Sequence, residues 1–289
     1  MALLQCHSFK IFVMKLFIYL FSFIFFKTNC IGQTSKTELI YLVKYEYSHQ
    51  INAKLKSTKV VDLMNLEGYK TKSLFYSSQR QIGYNKYLQD KINQPSFETI
   101  QANIASYFLN AESQIIEYEY NNKQFKIFDK LSSSSEFNCI DSFKIPVWKI
   151  MEDTMKFIGQ DCQKATTNFR GRKYTAWFST KIPISVGPYK FVGLPGLILK
   201  ISDDDNQFNF ECTELNQKVS KKPIFSLYKN SKKITFKKLK ELQKLRIENK
   251  KLFMQMEYPN VTGTRGDGSI IEDNKKIALA PYNPIEITP

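Results

Sequence analysis

Short runs of β-branched and aromatic residues, separated by turn residues, dominate the chain beyond residue 38. Residues 39–47 are rich in Leu, Ile, Val and Tyr and predict an opening strand, and residues 73–78 predict a shorter one. Residues 115–120 and 123–128 flank Asn121-Asn122, a pair that tolerates the positive φ of a tight turn. This arrangement predicts a β-hairpin.

The same pattern becomes denser in the second half of the chain. Residues 143–150 lead into 155–158, residues 161–169 turn through Arg170-Gly171-Arg172 into 173–180, and residues 196–202 turn through 203–206 into 207–215. Such a succession of hairpins predicts a meander of antiparallel strands.

Three stretches have helical periodicity instead. Residues 79–93 and 97–109 predict helices, and Thr235 is a suitable cap for a basic helix over residues 236–256. The apolar stripe of this last helix consists of Leu239, Leu242, Leu245 and Leu252.

The predicted fold class is α+β, mainly β. We expect an antiparallel meander sheet, for which strong curvature is one option, and a few helices that include the basic helix over residues 236–256. Hydrophobic residues make up 43% of the 289 positions and aromatic residues 14%, which is enough for a sizeable core. No internal repeat is visible. We therefore predict a single β-rich domain over residues 33–289.

The N-terminus predicts export. The apolar stretch at residues 16–26 has 11 residues after Lys15, whereas a membrane-spanning helix needs ~20 and the core of a signal peptide ~7–15. We predict a signal peptide over residues 1–32, with Met14 as an alternative start and cleavage before Gln33. The mature protein would be periplasmic, at the periphery of the outer membrane, or secreted.

Cys30 offers a different processing route, in which a lipidated cysteine anchors the mature chain. The preceding Lys27-Thr28-Asn29 are polar and bulky, whereas a lipoprotein signal has leucine and small residues there. No second apolar run of spanning length follows, so the mature chain should contain no transmembrane helix.

The formal net charge of +15 raises the question of a nucleic-acid partner. Only five of the 42 basic residues are arginines, and specific recognition of phosphates and bases relies on the arginine fork. We therefore predict no nucleic-acid binding.

One segment carries a recognisable motif. Within residues 164–202 the chain contains Phe169-Arg170-Gly171-Arg172, then Gly187-Pro188-Tyr189-Lys190-Phe191, then Gly193-Leu194-Pro195-Gly196-Leu197-Ile198. This segment resembles the GLPGLI family, exported proteins of Bacteroidota-type bacteria, and Tyr282-Asn283-Pro284-Ile285-Glu286 resembles the ending of that family. The resemblance implies location and class, but no established activity or ligand.

Residues 187–196, termed here the motif loop, have two structural interpretations. Pro195-Gly196 suits the centre of a type II turn, with positive φ at the glycine. Tyr189 and Phe191 then either form a rigid aromatic platform for a ligand or fold onto the sheet. Similarly, Arg170 and Arg172 either clamp an anion or form a solvated hairpin tip. The candidate ligand-binding residues are Tyr189, Phe191, Trp177, Arg170 and Arg172.

Familiar catalytic and metal-binding patterns are missing from the sequence. His49 is the one histidine beyond residue 32, and its polar neighbours Ser48 and Gln50 favour a solvated position. There is no Gly-x-Ser-x-Gly elbow and no closely spaced cysteine pair. We predict no catalytic residue, metal or cofactor from sequence.

The three cysteines beyond residue 32 allow three pairings. Cys212 follows Phe208 and Phe210 in strand register, so it should face the core. We therefore favour a Cys139–Cys162 disulfide in an oxidising compartment.

The sequence is compatible with three functions. The first is a non-enzymatic binding or interaction module for an envelope protein or an apolar ligand. The second is a hydrolase that uses carboxylates, such as those of Asp203, Asp204 and Asp205. The third is a peripheral lipid-surface protein that uses the basic helix.

Overall fold

The structure is a computed structural model. It describes residues 39–51, 54, 59–96, 99, 111–132, 135–142, 144–217, 228, 230–257 and 283–287. The predicted signal peptide lies outside these residues, and so does the predicted helix at 97–109 apart from Thr99. Among the described residues, no helix is long and apolar enough to span a membrane.

The described residues form one twelve-stranded sheet and three helices. The strands are β1 (Tyr41–Gln50), β2 (Lys59–Gly68), β3 (Lys72–Ser77), β4 (Ile115–Glu119), β5 (Gln124–Lys130), β6 (Glu136–Asp141), β7 (Lys149–Phe157), β8 (Gln160–Phe169), β9 (Arg172–Ser179), β10 (Leu197–Asp203), β11 (Phe208–Gln217) and β12 (Lys232–Lys233). The helices are α1 (Ser78–Asn93), α2 (Phe236–Glu248) and α3 (Lys250–Glu257). The mainly β fold class is confirmed.

The strand order is β12-β6-β5-β4-β3-β2-β1-β11-β10-β9-β8-β7. Neighbouring strands are antiparallel, except that β12 runs parallel to β6. The first strand lies in the middle of the sheet, where it pairs with β2 on one side and with β11 on the other. β1 therefore joins the meander of the N-terminal half to that of the C-terminal half.

The sheet is strongly curved. β6 and β9 are eight steps apart in the strand order, which would separate them by roughly 38 Å in a flat sheet. Yet a carboxylate oxygen of Asp141, at the end of β6, lies 2.5 Å from Nη2 of Arg170, in the turn between β8 and β9. The two sides of the sheet therefore meet across its inner face, although no ladder joins β12 to β7 among the described residues.

The main core fills this inner face. Period-2 alternation along β1 places Val43, Tyr45 and Tyr47 there, with exposures between 0% and 6%. Helix α2 covers the β5–β6 end of the same face, where Leu239 and Leu242 pack against Ile127 and Cys139 and other buried residues. A smaller cluster on the opposite face contains Leu74, Tyr76, Ile115 and Phe128.

The late basic helix differs from its prediction. The Thr235 side chain caps α2 by accepting from the backbone N–H of Lys238, as predicted. The helix ends before Asn249, whose φ of −142° is not helical, and α3 begins afterwards in a new register. Phe253 therefore faces the core and Leu252 is 43% exposed, so the single stripe predicted for residues 236–256 is wrong at its end.

The turn predicted at Pro195-Gly196 is also different. Positive φ occurs at Gly193 (+97°) and not at Gly196. A Cβ on Gly196 would lie 2.2 Å from the carbonyl oxygen of Ser179. Glycine is needed at position 196 because β10 passes close to the backbone at the end of β9.

The predicted Cys139–Cys162 disulfide is absent from the structure. Cys139, Cys162 and Cys212 are all free and buried. Cys139 packs under α2, whereas Cys162 and Cys212 belong to the main core. Cys212 does face the core, as its register with Phe208 and Phe210 predicted.

Candidate functional site: a cavity on the inner face of the sheet

A cavity of about 300 Å³ lies on the inner face of the sheet. Its apolar side is formed by residues of β1 to β4 and β11, and its polar side by residues 112–114, β5, α2 and the C-terminal segment. Residues of the apolar side include Tyr47, Met64, Phe75, Ile116, Tyr189, Phe208 and Phe210. Residues of the polar side include Glu112, Asp129, Lys240, Gln243 and Arg246, and His49 lies between the two.

Four parallel rings, termed here the ring stack, line one side of the cavity. Tyr47 and His49 share one face of β1, and they lie directly opposite Phe210 and Phe208 of β11. The centroid of Tyr47 is 4.3 Å from that of Phe210 and 4.8 Å from that of His49. The stack is therefore a direct product of strand alternation and antiparallel register.

The polar neighbours of His49 in the sequence indicated a solvated side chain, but the structure buries most of it. Its side chain is 16% exposed, and its Nε2 lies 3.8 Å from Oε1 of Glu112. Its Nδ1 is buried without a hydrogen-bond partner. Burial lowers the pKa of His49, and the nearby Asp62 only partly opposes this shift, so the imidazole is held in its neutral form.

Two carboxylates of the cavity have different environments. Asp129 accepts hydrogen bonds from Oγ of Ser113 (2.5 Å) and from Nε2 of Gln243 (2.6 Å). The Glu112 side chain keeps 34% of its surface exposed. Desolvation of its buried part, together with the charge of Asp129, raises the pKa of Glu112 above its usual value.

Gln243 of α2 presents a second unpartnered atom. The residue is 6% exposed, and its amide nitrogen is used by Asp129, but its Oε1 is buried without a hydrogen-bond partner. The same helix contributes two cations: Lys240, whose Nζ lies 3.1 Å from Oε2 of Glu286, and Arg246, whose Nη1 donates to the Leu131 carbonyl. The polar side of the cavity thus offers both donors and acceptors.

Beside the cavity lies an ionic cluster of Asp141, Arg170, Lys190, Lys240 and Glu286. Lys190 Nζ is 2.7 Å from Asp141 Oδ2 and 2.6 Å from Glu286 Oε1. Burial opposes the ionisation of Glu286, but Lys190, Lys240 and Arg170 together outweigh it and hold its pKa at about 2. Burial lowers the pKa of Lys240. The cluster joins β6, the β8–β9 turn, the motif loop, α2 and the C-terminal segment.

Residues 283–287, termed here the C-terminal strap, complete one side of the cavity. Arg172 holds the strap by donating to Asn283 Oδ1 (2.7 Å) and to the Pro284 carbonyl (3.0 Å). Asn283 donates in turn to the Gln50 carbonyl at 2.7 Å. Together with Glu286, these contacts fix Asn283, Pro284 and Ile285 in the cavity lining.

Of the candidates predicted from sequence, only Tyr189 lines the cavity. Phe191 is fully buried against Phe169 and Tyr174, and Trp177 is half-buried on the opposite face of β9. The six motif residues Gly193, Leu194, Pro195, Gly196, Leu197 and Ile198 do not line the cavity either.

The predicted exposed tip at Arg170 and Arg172 is wrong. Arg170 is 3% exposed and Arg172 is 8% exposed, because each guanidinium has a buried carboxylate partner from another element. Arg170 pairs with Asp141, and Arg172 Nη1 lies 3.1 Å from Oδ2 of Asp203. Both arginines are anchors for the strap and the sheet.

The carboxylates proposed from sequence are not in the cavity lining. Asp203 is buried in its pair with Arg172, and Asp204 pairs with Lys173 at the surface. Sequence reasoning missed Glu112, Asp129 and Gln243, since they come from three separate segments. No group of three or more His, Cys, Asp or Glu residues is placed to hold a metal in the described part of the chain.

Parts of this chain resemble a protein family and known structures. A family model described as "Protein of unknown function (Porph_ging)" matches residues 150–200. No curated protein matches the chain. Two structures of PNGF-II, in space groups P21 and C2, are similar at 15% identity, with TM-scores of 0.49 and 0.48. The matches cover 71% of this chain but only 33% and 32% of those chains, so this chain spans about a third of their length.

Proposed function

We propose that the protein is an exported, non-enzymatic envelope protein that binds a small, partly apolar ligand in the inner cavity. One observation carries the proposal: an aromatic surface and buried polar atoms without partners, His49 Nδ1 and Gln243 Oε1, belong to the lining of the same cavity. Small-molecule sites typically combine an apolar lining with a few convergent polar groups. Buried polar atoms without partners are uncommon in folded proteins unless water or a ligand satisfies them.

The family match supports the class of protein in this proposal. It spans the hexapeptide at residues 193–198, which favours membership in the GLPGLI family. The 11-residue apolar segment after Lys15 supports export. The family match and the apolar segment support the class and the location of the protein, whereas the cavity supports its binding function.

Binding inside the cavity fits the structure better than binding at the motif loop or at a lipid surface. Phe191 and Tyr189 are 0% and 8% exposed, so the loop offers no aromatic platform at the surface. The apolar side of α2 packs on β5 and β6 through Leu239 and Leu242. That side of the helix is therefore occupied within the fold and does not face a membrane.

A fluorescent probe tests this proposal directly. N-Phenyl-1-naphthylamine is a neutral apolar ring compound with one N–H donor, and we expect the folded protein to bind it with enhanced fluorescence. Ile247→Trp places a large ring in the cavity lining and should weaken probe binding by about tenfold or more. Ile150→Trp is the matched control on β7, where Ile150 is 46% exposed. Equal probe binding by both variants would contradict the proposal.

A second candidate, a carboxylate-dependent hydrolase, is favoured by the acidic pair in the cavity. The environment raises the pKa of Glu112, and a carboxyl group with a raised pKa can act as a general acid. The second carboxylate, Asp129, accepts hydrogen bonds from Ser113 and Gln243. The test is turnover of 4-nitrophenyl glycosides and esters. Activity that Glu112→Gln abolishes, in a variant that melts like the wild type, would favour the hydrolase over the binding module.

A further inference from the structure

The unpartnered atoms of the cavity define what a ligand must offer. His49 Nε2 lies 3.8 Å from Oε1 of Glu112, which is beyond hydrogen-bond distance. The nearby carboxylate attracts the proton to Nε2 electrostatically, and Nδ1 is then an acceptor. Gln243 Oε1 is a second acceptor, and both atoms are buried without partners. A matching ligand therefore has hydrogen-bond donors that reach both positions.

The same side of the cavity also presents donors. An ammonium has three N–H donors and a guanidinium five. Lys240 reaches one carboxylate, that of Glu286, and Arg246 donates to one carbonyl, that of Leu131. A matching ligand therefore has acceptors as well as donors. The hydroxyl group supplies both in one atom.

The balance of formal charges in the cavity lining disfavours ligands that carry a net charge. The cavity lining contains two cations, Lys240 and Arg246, and two carboxylates, Glu112 and Asp129, while burial keeps His49 neutral. The formal charges cancel, so a ligand with net charge would stay uncompensated in a partly desolvated site, which is costly.

The opposite side of the cavity suits the carbon skeleton of a ring. The edges of the ring stack and the side chains of Met64 and Ile116 offer an apolar surface. A volume of about 300 Å³ is at the small end of ligand sites, where a ligand of one or two rings fits.

We propose that the cavity binds a neutral, hydroxyl-rich ring compound of the saccharide class, with its C–H face on the ring stack and its hydroxyls on His49, Gln243, Lys240 and Arg246. This inference rests on the proposed ligand-binding function. It goes beyond that function because it names the ligand class.

A set of matched six-membered rings tests the class. The probes are a panel of neutral methyl glycosides and disaccharides, with glucosamine as the cationic, glucuronate as the anionic and cyclohexanol as the hydroxyl-poor counterpart. In thermal shift and calorimetric titration, we expect at least one neutral glycoside to raise the melting temperature. The charged and hydroxyl-poor rings should bind about tenfold more weakly or not at all.

Two substitutions separate hydrogen bonding from packing. His49→Phe keeps an aromatic ring in the stack but removes the Nδ1 acceptor, so glycoside affinity should fall about tenfold while binding of N-phenyl-1-naphthylamine is retained. His49→Asn places a hydrogen-bonding atom near the former Nδ1 and should recover part of the glycoside affinity. A purely structural role of His49 would change the affinity for both probes in parallel.

The outcomes distinguish the two proposals. If N-phenyl-1-naphthylamine binds in the cavity but no neutral glycoside does, the ligand class is wrong and the binding function stands. If glucosamine or glucuronate binds more tightly than the neutral rings, the ligand class is also wrong. If neither the fluorescent probe nor any ring binds, both proposals are overturned.

Discussion

Asp141 and Lys190 form a buried ion pair, 2.7 Å from Oδ2 to Nζ, that links two distant parts of one sheet. Asp141 ends β6, near one edge in the strand order, and Lys190 lies in the loop between β9 and β10, near the other. Each side chain is at most 2% exposed. Among the described residues, the two sides of the curved sheet are therefore connected by charged side chains and not by a backbone ladder.

Glu286→Gln should destabilise the fold strongly. The substitution leaves Lys190, Arg170 and Lys240 with one carboxylate fewer in a buried site, and removal of one partner from a buried ion pair costs about 3–5 kcal/mol. Urea unfolding at pH 7 measures the loss. Glu214→Gln, at a 44% exposed carboxylate paired with Lys44, is the control and should cost less than about 1 kcal/mol.

The same variant has a defined pH dependence. The pKa of Glu286 is held at about 2, below its usual 4.5, so its contribution is fully present above pH 4.5 and is lost as the pH falls towards 2. The stability difference between wild type and Glu286→Gln should narrow by roughly 3 kcal/mol across that window. A constant difference from pH 6 to pH 2.5 would show that the carboxylate charge contributes nothing.

Gly196→Val should destabilise the protein by about 1–3 kcal/mol, because any Cβ at this position meets the Ser179 carbonyl oxygen at 2.2 Å. Gly159→Asn is a useful control. Gly159 has a φ of +74° with open space around it, and asparagine tolerates that conformation. Thermal melts should show a clear loss for the first variant and a small one for the second. Equal melting temperatures would rule out the close approach of β9 and β10.

The protein from Gln33 onwards should contain three free thiols. Ellman's reagent should titrate three in guanidinium chloride and almost none within minutes in the native state, since all three are buried. Burial also raises the pKa values of Cys139 and Cys212 to about 12, which suppresses the reactive thiolate. A Cys139–Cys162 linked peptide in a non-reduced digest would contradict the structure.

His49 should make the stability depend on pH near neutrality. Its folded pKa lies below 6.5 because of burial, so the unfolded state takes up the proton first as the pH falls. Stability should therefore decrease from pH 7.5 to 5.5, at most by about 1.4 kcal/mol per pH unit from this group. His49→Phe should lack this contribution in urea unfolding. An unchanged slope would show that His49 is solvated.

Export predicts a mature N-terminus at Gln33. N-terminal sequencing of the protein from the periplasm or the medium decides between this site and its alternatives. A retained Met1 or Met14 would contradict cleavage, and a mass increase on a chain that begins at Cys30 would indicate lipidation instead.

Two elements of the fold, the β4–β5 hairpin and the start of α2, were predictable from local sequence signals alone. Asn121-Asn122 lies in the β4–β5 turn and Thr235 caps α2, so both elements were predictable from a few neighbouring residues. β2 was missed, since its strand contains three buried polar residues, Asp62, Asn65 and Glu67. Partners in other elements stabilise them, as the hydroxyl of Ser77 does for Asp62, and a local pattern does not contain these partners.

The site was less predictable for the same physical reason. His49 was assigned to solvent from its polar neighbours, although alternation from Tyr45 and Tyr47 places it on the core face. The buried ion pair of Arg170 was not among the two alternatives predicted for it, because its partner Asp141 is 29 residues away in the sequence. Glu112, Asp129 and Gln243 meet only because the sheet curves, and the degree of curvature is a property of the whole sheet.

The C-terminal strap has a consequence for the order of folding. Lys190 and Glu286 are 96 residues apart, and Arg172 and Pro284 are 112 apart, whereas the β8–β9 and β4–β5 hairpins close over a few residues. Long loops close late, because their entropy cost precedes any compensating contact. We therefore expect the hairpins to form first and the strap to dock on the surface they create. Until the strap docks, the cavity lacks one side, so we expect ligand binding only after this late step.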